Sequence, residues 1–229
     1  MRPVSRFCAG AQSGRYGGCS SRVKGKAITS GLITTRIAWT GSDATSGIAR
    51  YEFAQQTNGG AWTTVSTSLI KTLTDRWLAG GASYRFRVRP VDKAGNVGAW
   101  AYGDTFPVSR LSEGNSRITY SGRWTTSTSS VFWGGAAKAS STAGSRAMIS
   151  FAGRSVAWVS SMGPTRGKAD VLVNGVKVAT VDLYSATAKH QQVVWTGSWT
   201  TAASRTISIR VHGSSGRAPI AIDAFVTAN

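Results

Sequence analysis

The sequence of 229 residues lacks several features that mark common protein classes. It contains no apolar run near 18 residues, which excludes a predicted transmembrane helix. Only 9 residues are acidic and 2 are histidines, so few side chains can act as catalytic acids, bases or metal ligands. Runs of the helix-favouring residues Glu, Lys, Leu and Ala are scarce. Glycine (27) and tryptophan (9) are abundant, a profile typical of an all-β protein with many turns.

Positive charge dominates the titratable residues. Lys and Arg total 27, which gives a formal net charge of +18 at pH 7. Such a balance is typical of proteins that bind nucleic acid or other anionic polymers. However, no block of five or more consecutive basic residues occurs, and such blocks mark many nucleic-acid-binding tails. We therefore interpret the charge as spread over solvated strand faces and disfavour nucleic acid as a partner.

Residues 1–26 are rich in Gly, Ser and Arg and contain few apolar residues. Such a segment buries too little surface to offset its ordering entropy, so we expect a flexible basic tail. No apolar stretch of about 7 to 15 residues follows Arg6, and no secretory signal is therefore predicted. Cys8 and Cys19 lie in this tail. They either close a small loop in an exported chain or stay as two thiols.

The segment from Gly163 to Ser185 gives the strongest local prediction. Apolar residues alternate with polar residues on both sides of Asn174-Gly175. A type I′ turn needs positive φ at both central residues, which Asn-Gly tolerates well. The sequence therefore predicts a β-hairpin here, from which the second half of the chain is built outward.

Alternating strands and turn signals recur along the rest of the chain. This pattern predicts an all-β protein of two tandem β-sandwich domains. The expected boundaries are 27–108 for the first sandwich, 109–116 for a polar linker and 117–229 for the second sandwich.

The first sandwich resembles a fibronectin type III domain. The likeness is carried by Trp39, by Leu78 and Tyr84 on either side of Gly80-Gly81, and by the run YRFRVRPVDKAGN. The resemblance implies a seven-stranded, immunoglobulin-like sandwich in which Tyr84 forms a tyrosine corner. It also implies use as a spacer or binding module rather than as an enzyme.

The second sandwich resembles the galactose-binding-like jelly-roll modules that follow fibronectin-like domains in exported bacterial surface and cell-wall proteins. The runs GPTRGKADVLVNGVKVATVDLYS and IAIDAF carry the likeness. Modules of this shape bind sugars, cell walls or other proteins, or have no ligand. The resemblance implies an extracellular or cell-surface location.

No set of residues with catalytic spacing stands out, and we interpret the chain as a non-enzyme without cofactor or metal. Asp170, Asp182 and Asp223 are candidates for a glycosidase pair, but each has the pattern of an ordinary strand residue. The expected role of each is to pair with an arginine or to accept hydrogen bonds in a turn. His190 and His212 are not spaced as a metal-binding pair.

Two surfaces are predicted to bind ligands. Sugar recognition uses aromatic faces and a few polar groups, which the second sandwich supplies. The candidate carbohydrate-site residues are Trp133, Arg166, Lys168, Tyr184, His190 and Trp199. On the first sandwich, Arg85, Arg87 and Arg89 alternate along one strand as a candidate patch for an anionic polymer. The alternative is a solvated face shielded by Glu52.

The sequence therefore favours a non-catalytic extracellular or cell-surface module that binds carbohydrate or a cell-wall polymer. Two alternatives stay open. In the first alternative, the chain is a ligand-free spacer attached to a larger secreted hydrolase. In the second, it is a basic nucleic-acid-binding protein. The sequence does not identify the ligand or the oligomeric state.

Overall fold

The computed structural model describes residues 4–6 (backbone only), 21–25, 27–213 and 215–228. The protein is all-β over this range, as predicted. Within it, no helix has the length and apolar character needed to cross a bilayer. Cys8 and Cys19, and most of the expected tail, lie outside the described residues.

The strands in chain order are β1 (Val4–Arg6), β2 (Arg22–Val23), β3 (Leu32–Ala38), β4 (Thr40–Ser42), β5 (Ile48–Thr57), β6 (Trp62–Leu69), β7 (Leu73–Ala79), β8 (Ala82–Asp92), β9 (Ala101–Tyr102), β10 (Phe106–Ser112), β11 (Ile118–Ser121), β12 (Thr125–Thr128), β13 (Ala136–Ser140), β14 (Arg146–Met162), β15 (Lys168–Val173), β16 (Val176–Asp182), β17 (Lys189–Val211), β18 (Ile220–Ile222) and β19 (Ala224–Ala228).

One large sheet runs through both halves of the chain. Its strands are ordered β16-β15-β17-β14-β19-β10-β8-β5-β6, with β11 beside β14 and β9 beside β8. Two three-stranded sheets, β12-β13-β18 and β2-β3-β7, complete a sandwich-like arrangement, and β1 pairs with β4. All of the pairs between these strands are antiparallel, as expected for strands joined by short turns.

Two clusters of buried side chains fill the sandwich. In the first, the rings of Trp39, Phe53 and Phe86 stack in sequence with centroids 5.3 Å apart. This cluster also contains Val159 and Val226, which belong to the second half. The second cluster surrounds the fully buried Trp158, and the halves therefore share buried apolar surface.

The segment expected as a linker, 109–116, is in part a strand. Its first four residues belong to β10, which pairs with β8 before them and with β19 along them. The polar residues around Leu111 led to the prediction of a linker rather than a strand, but Leu111 is buried in the second cluster. The polar side chains beside it point the other way because alternate strand residues face opposite sides. The division into two tandem sandwich domains, 27–108 and 117–229, stays a prediction.

The end of the expected tail also belongs to the fold. Arg22–Val23 pairs with β3, and Val23 is buried in the first cluster. The N–H of Val23 donates to Ser155 Oγ at 3.1 Å, which ties this segment to β14. One apolar side chain and satisfied backbone groups are enough to order these residues.

The hairpin predicted around Asn174-Gly175 is confirmed. Strands β15 and β16 pair on either side of the turn, and φ is +48° at Asn174 and +82° at Gly175. Both central residues thus have the positive φ that a type I′ turn requires.

Tyr84 makes the backbone contact expected of a tyrosine corner. Its Oη accepts the N–H of Ala79 at 2.8 Å and donates to the Ala79 carbonyl at 3.2 Å. Leu78, beside this contact, is fully buried. Membership of the fibronectin type III family stays a prediction.

Replacing Tyr84 by phenylalanine removes both hydrogen bonds to the Ala79 backbone. We expect Tyr84→Phe to lower the free energy of unfolding by about 1–3 kcal/mol. Urea denaturation measures this change. Tyr102→Phe, at an exposed tyrosine, is the matched control and should leave stability unchanged. Equal stability of the two variants would contradict a structural role for the corner.

Candidate functional site

The structure brings Arg166, Lys168 and Tyr184 together where the β15–β16 hairpin opens. Two further residues complete the group, Asp182 at the end of β16 and Arg217 from the segment before β18. We call these five residues the hairpin-end cluster. Neither Asp182 nor Arg217 was predicted as a ligand-binding residue.

Backbone hydrogen bonds fix the main chain beneath the hairpin-end cluster. The N–H of the buried Leu183 donates to the Gly167 carbonyl at 3.0 Å, and the Leu183 carbonyl accepts the Gly163 N–H at 3.0 Å. The N–H of Gly167 donates to the Pro219 carbonyl at 3.0 Å. Three segments distant in sequence are therefore held side by side, which pre-organises the side chains they carry.

Asp182 is the electrostatic centre of the hairpin-end cluster. Its carboxylate accepts two bonds from the Arg217 guanidinium, at 2.9 and 3.1 Å, and one from the N–H of Tyr184 at 2.9 Å. Lys168 Nζ lies 3.7 Å away. The hydrogen bonds from Arg217 are the main reason why the pKa of Asp182 is lowered. The carboxylate is therefore ionised at neutral pH, when it acts only as a hydrogen-bond acceptor.

Tyr184 supplies the aromatic surface of the hairpin-end cluster. Its side chain is 51% exposed, and Arg217 Cζ lies 5.0 Å from the centre of its ring. Arg217 also donates to the Arg166 carbonyl at 3.1 Å. One guanidinium therefore contacts the Tyr184 ring, the Asp182 carboxylate and the backbone of Arg166. Partial burial lowers the pKa of the Arg166 guanidinium. The arrangement offers a ring face, hydrogen-bond donors and an acceptor at one end of the sheet.

The structure places His190 and Trp199 elsewhere. His190 Nδ1 is hydrogen-bonded to Ser161 Oγ at 3.0 Å, and its ring meets Phe132 edge-on with centroids 6.0 Å apart. Trp199 packs against Phe151, and the guanidinium of Arg205 covers its ring at 4.2 Å. Their roles in ligand binding stay predictions.

Trp133 lies at the seam between the halves and is only 7% exposed. The guanidinium of Arg110, on β10, covers its ring at 5.0 Å. Beside it lies an open recess of about 470 Å³, lined by Gly31, Ala79, Gly80, Gly81, Arg110 and Trp133. Trp133 therefore presents little ring surface to a ligand.

The backbone of Trp133 is held by a buried carboxyl group. Its N–H donates to Asp223 Oδ1 at 2.9 Å, and Asp223 is fully buried. Burial raises the pKa of Asp223 to about 6, although the Trp133 N–H and the charge of Arg110 favour the ionised form.

Arg85, Arg87 and Arg89 share one face of β8, where they alternate with buried apolar residues. Aromatic rings cover their guanidinium groups. Arg87 Cζ lies 4.5 Å from the ring of Trp62 and 4.3 Å from that of Trp100.

The two outer arginines of this row have further partners. Arg89 Nε donates to Glu52 at 2.6 Å, while Arg85 Nε donates to the Gly103 carbonyl at 3.0 Å and lies over the ring of Tyr102. Stacking of this kind holds guanidinium planes in fixed orientations. Binding of an anionic polymer by this row stays a prediction.

The remaining carboxylate of the hairpin is neutralised by cations. Asp170 lies 2.8 Å from Lys177 Nζ and 2.7 Å from Arg210 Nη2, and it accepts a bond from Thr180. Hydrogen bonds to these partners outweigh burial and lower the pKa of Asp170. Across the described ranges, no three Asp, Glu, His or Cys residues form a group that could hold a metal ion.

Comparison with known sequences assigns no family. No family model matches the chain, and no curated protein matches it.

Several solved structures are similar to parts of the chain. One is the carbohydrate-binding module CBM36 in complex with calcium and xylotriose, with 14% identity, 53% of this chain and 99% of that chain covered, and a TM-score of 0.37. Another is the exo-beta-1,3-galactanase of Phanerochaete chrysosporium, with 14% identity, 91% and 56% covered, and a TM-score of 0.39. A third is Paenibacillus xanthan lyase, with 13% identity, 86% and 22% covered, and a TM-score of 0.41.

This chain thus spans about half the length of the galactanase chain and about a fifth of the lyase chain. It spans 27% of the Agl-KA catalytic domain, which is also similar to it. These neighbours include a carbohydrate-binding module and carbohydrate-active enzymes, but their identities and TM-scores are too low to assign a ligand to this chain.

The position of the hairpin-end cluster depends on the absence of a side chain at Gly167. A Cβ there would overlap the carbonyl oxygens of Arg217 and Ala218. We expect Gly167→Ala to displace Arg217 and to lower the free energy of unfolding in urea by about 1–3 kcal/mol. Gly114→Ala, where a Cβ meets nothing within 4 Å, is the control. Unchanged stability of Gly167→Ala would show that this close approach is not required.

The buried carboxyl group of Asp223 makes stability depend on pH. Its pKa is about 6 in the folded protein and about 3.8 when unfolded, so the folded state holds the proton more tightly. Its contribution to stability is therefore largest at low pH and is lost as the pH rises through 6. Between pH 4.5 and 7.5 we expect a loss of about 2 kcal/mol.

Asp223→Asn keeps a hydrogen-bond acceptor for the Trp133 N–H and cannot titrate. Urea unfolding curves between pH 4.5 and 7.5 measure the free energy of unfolding of both proteins, and only the parent should lose the contribution of Asp223 as the pH rises. If the free energy of unfolding changed with pH in the same way in both proteins, the raised pKa of Asp223 would be contradicted.

Proposed function

We propose that this chain is a non-catalytic module that binds carbohydrate through the hairpin-end cluster. The observation that carries the proposal is the half-exposed ring of Tyr184 beside the bidentate pair of Arg217 and Asp182. The apolar face of a pyranose packs on an exposed aromatic ring. Its hydroxyl groups donate to the carboxylate and accept from Lys168 and Arg217.

The charge distribution of this site supports binding over hydrolysis. A glycosidase needs two carboxyl groups that flank one bond, one of them able to give up a proton. Asp182 is kept ionised by Arg217, and Asp170 on the same hairpin is neutralised by Lys177 and Arg210. Neither is placed to act as a general acid, because both have lowered pKa values.

The proposal extends to a cell-envelope polymer as ligand and to an extracellular or cell-surface location. The resemblance to modules of exported bacterial proteins supports this extension. A ligand-free spacer and a nucleic-acid-binding protein are the competing functions, and both are outcomes of the same binding assay. A spacer is retained by no polysaccharide, and a nucleic-acid-binding protein is retained by single-stranded DNA with a steep dependence on salt.

The assay is affinity electrophoresis of the full chain through gels that contain soluble polysaccharides. We expect retention on at least one neutral polysaccharide, and Tyr184→Ala should weaken it about tenfold because the stacking surface is lost. Arg217→Lys keeps the charge but not the bidentate geometry, and it should weaken retention as well.

Tyr102→Ala is the matched control, since Tyr102 is also exposed and lies under an arginine, Arg85, on the other half of the chain. It should bind as the parent does. Equal retention of the parent and Tyr184→Ala on every polysaccharide would reject the hairpin-end cluster as the site.

A further inference from the structure

The outer face of the small sheet β2-β3-β7 carries an exposed tryptophan. Trp77 is 58% exposed, although its neighbour Leu78 is fully buried. Alternate residues of a strand face opposite sides, so Trp77 stands on the solvent side of β7. Tryptophan is highly buried on average, and one in the middle of a regular strand with this exposure needs an explanation.

The ring of Trp77 is free of the cover that other aromatic rings of this protein have. Arg110 covers Trp133, Arg205 covers Trp199, and arginines of β8 cover Trp62 and Trp100. Within the described residues, no cation lies over the ring of Trp77. More than half of Trp77 is exposed, so its indole can contact a ligand.

An ion pair lies directly beside this ring. Asp75, two residues before Trp77 on the same face, is opposite Arg36 in the register of β3 and β7. Arg36 Nε and Nη2 donate to the Asp75 carboxylate at 2.8 and 3.1 Å. Thr34, opposite Trp77 in the same register, is small and buried.

Further positive charge lies across the sheet. Arg22 is opposite Arg36 in the register of β2 and β3, and the N–H of Lys24 donates to the Thr34 carbonyl at 2.9 Å. Because Asp75 neutralises Arg36, the charges of Arg22 and Lys24 leave this face net positive. Alternate residues of a strand are about 6.8 Å apart and neighbouring strands about 4.8 Å, so these charges lie within one or two sugar units of the ring.

We propose that this face is a second binding site, for a linear polysaccharide whose pyranose rings carry carboxylate groups. One pyranose ring stacks on Trp77, and hydroxyl groups of the polysaccharide form hydrogen bonds with the Asp75–Arg36 pair. Carboxylates of the polymer meet Arg22 and Lys24. The site does not depend on the hairpin-end cluster, and it takes an acidic ligand.

The surroundings of Trp77 favour a polysaccharide over a protein. The centre of a protein interface is depleted of charged residues. Here an ion pair and two cations adjoin the single ring, although Leu73 extends the apolar line along β7. A net charge of +18 also attracts acidic polymers from a distance at low ionic strength.

The test is affinity electrophoresis of the full chain in gels that contain polygalacturonate, hydroxyethyl cellulose or poly(glycerol phosphate). Trp77→Ala should weaken binding to polygalacturonate about tenfold, and Trp77→Phe should retain most of it. Arg22→Ser should weaken binding to polygalacturonate and leave retention on hydroxyethyl cellulose unchanged. Tyr184→Ala should bind polygalacturonate as the parent does, which separates this proposal from the hairpin-end cluster.

Each opposite result overturns the proposal. Equal binding of Trp77→Ala and the parent to polygalacturonate removes the role of the ring. Poly(glycerol phosphate) has no sugar rings, so retention on it equal to that on polygalacturonate, and unaffected by Trp77→Ala, shows bulk charge attraction only. Loss of binding by both Trp77→Ala and Trp77→Phe, with an unfolding transition equal to that of the parent, also contradicts stacking.

Discussion

The hydrogen bonding of β14 is the constraint on which the rest of the structure depends. This strand pairs with β17 on one edge and with β19 and β11 on the other, and its residues Ala157, Trp158 and Val159 are fully buried. Buried backbone groups must find partners within the protein, so the positions of the neighbouring strands are fixed. Through β19 and β10 the pairing continues into the first half, and Ser155 extends it to β2. The two candidate sites therefore belong to one framework.

The two sites share one construction. In each, an arginine binds a carboxylate with two parallel hydrogen bonds beside an exposed ring, Arg217 with Asp182 near Tyr184 and Arg36 with Asp75 near Trp77. Such pairs have fixed geometry and keep hydrogen-bonding capacity toward a third group. They differ in that Arg217 stacks on its ring, whereas the ring of Trp77 is uncovered.

The sequence was sufficient to predict the hairpin, but it did not predict how side chains are arranged at the open end of the hairpin. The Asn-Gly turn pairs Val173 with Val176, as the alternation predicts. A one-residue irregularity after Val171 then shifts the register, so that Lys168 lies opposite Asp182. A uniform register would have placed the two side chains on opposite faces, since the side-chain period of a strand is two. Such a bulge has no clear signal in local composition, and Arg217 comes from an irregular segment far along the chain.

Tryptophan exposure shows where strand periodicity is informative and where it is not. Leu78 is fully buried and Trp77 is exposed, so the exposure of Trp77 follows from the alternation of residues along β7, although it was not predicted. Trp133 is different, because its ring is covered by Arg110, a residue expected in a linker. Its burial follows from β10 joining the two halves, which local composition concealed. The excess of arginine has a related consequence: guanidinium groups lie over the rings of Trp62, Trp133 and Trp199 and occupy ring faces that would otherwise be open to a ligand.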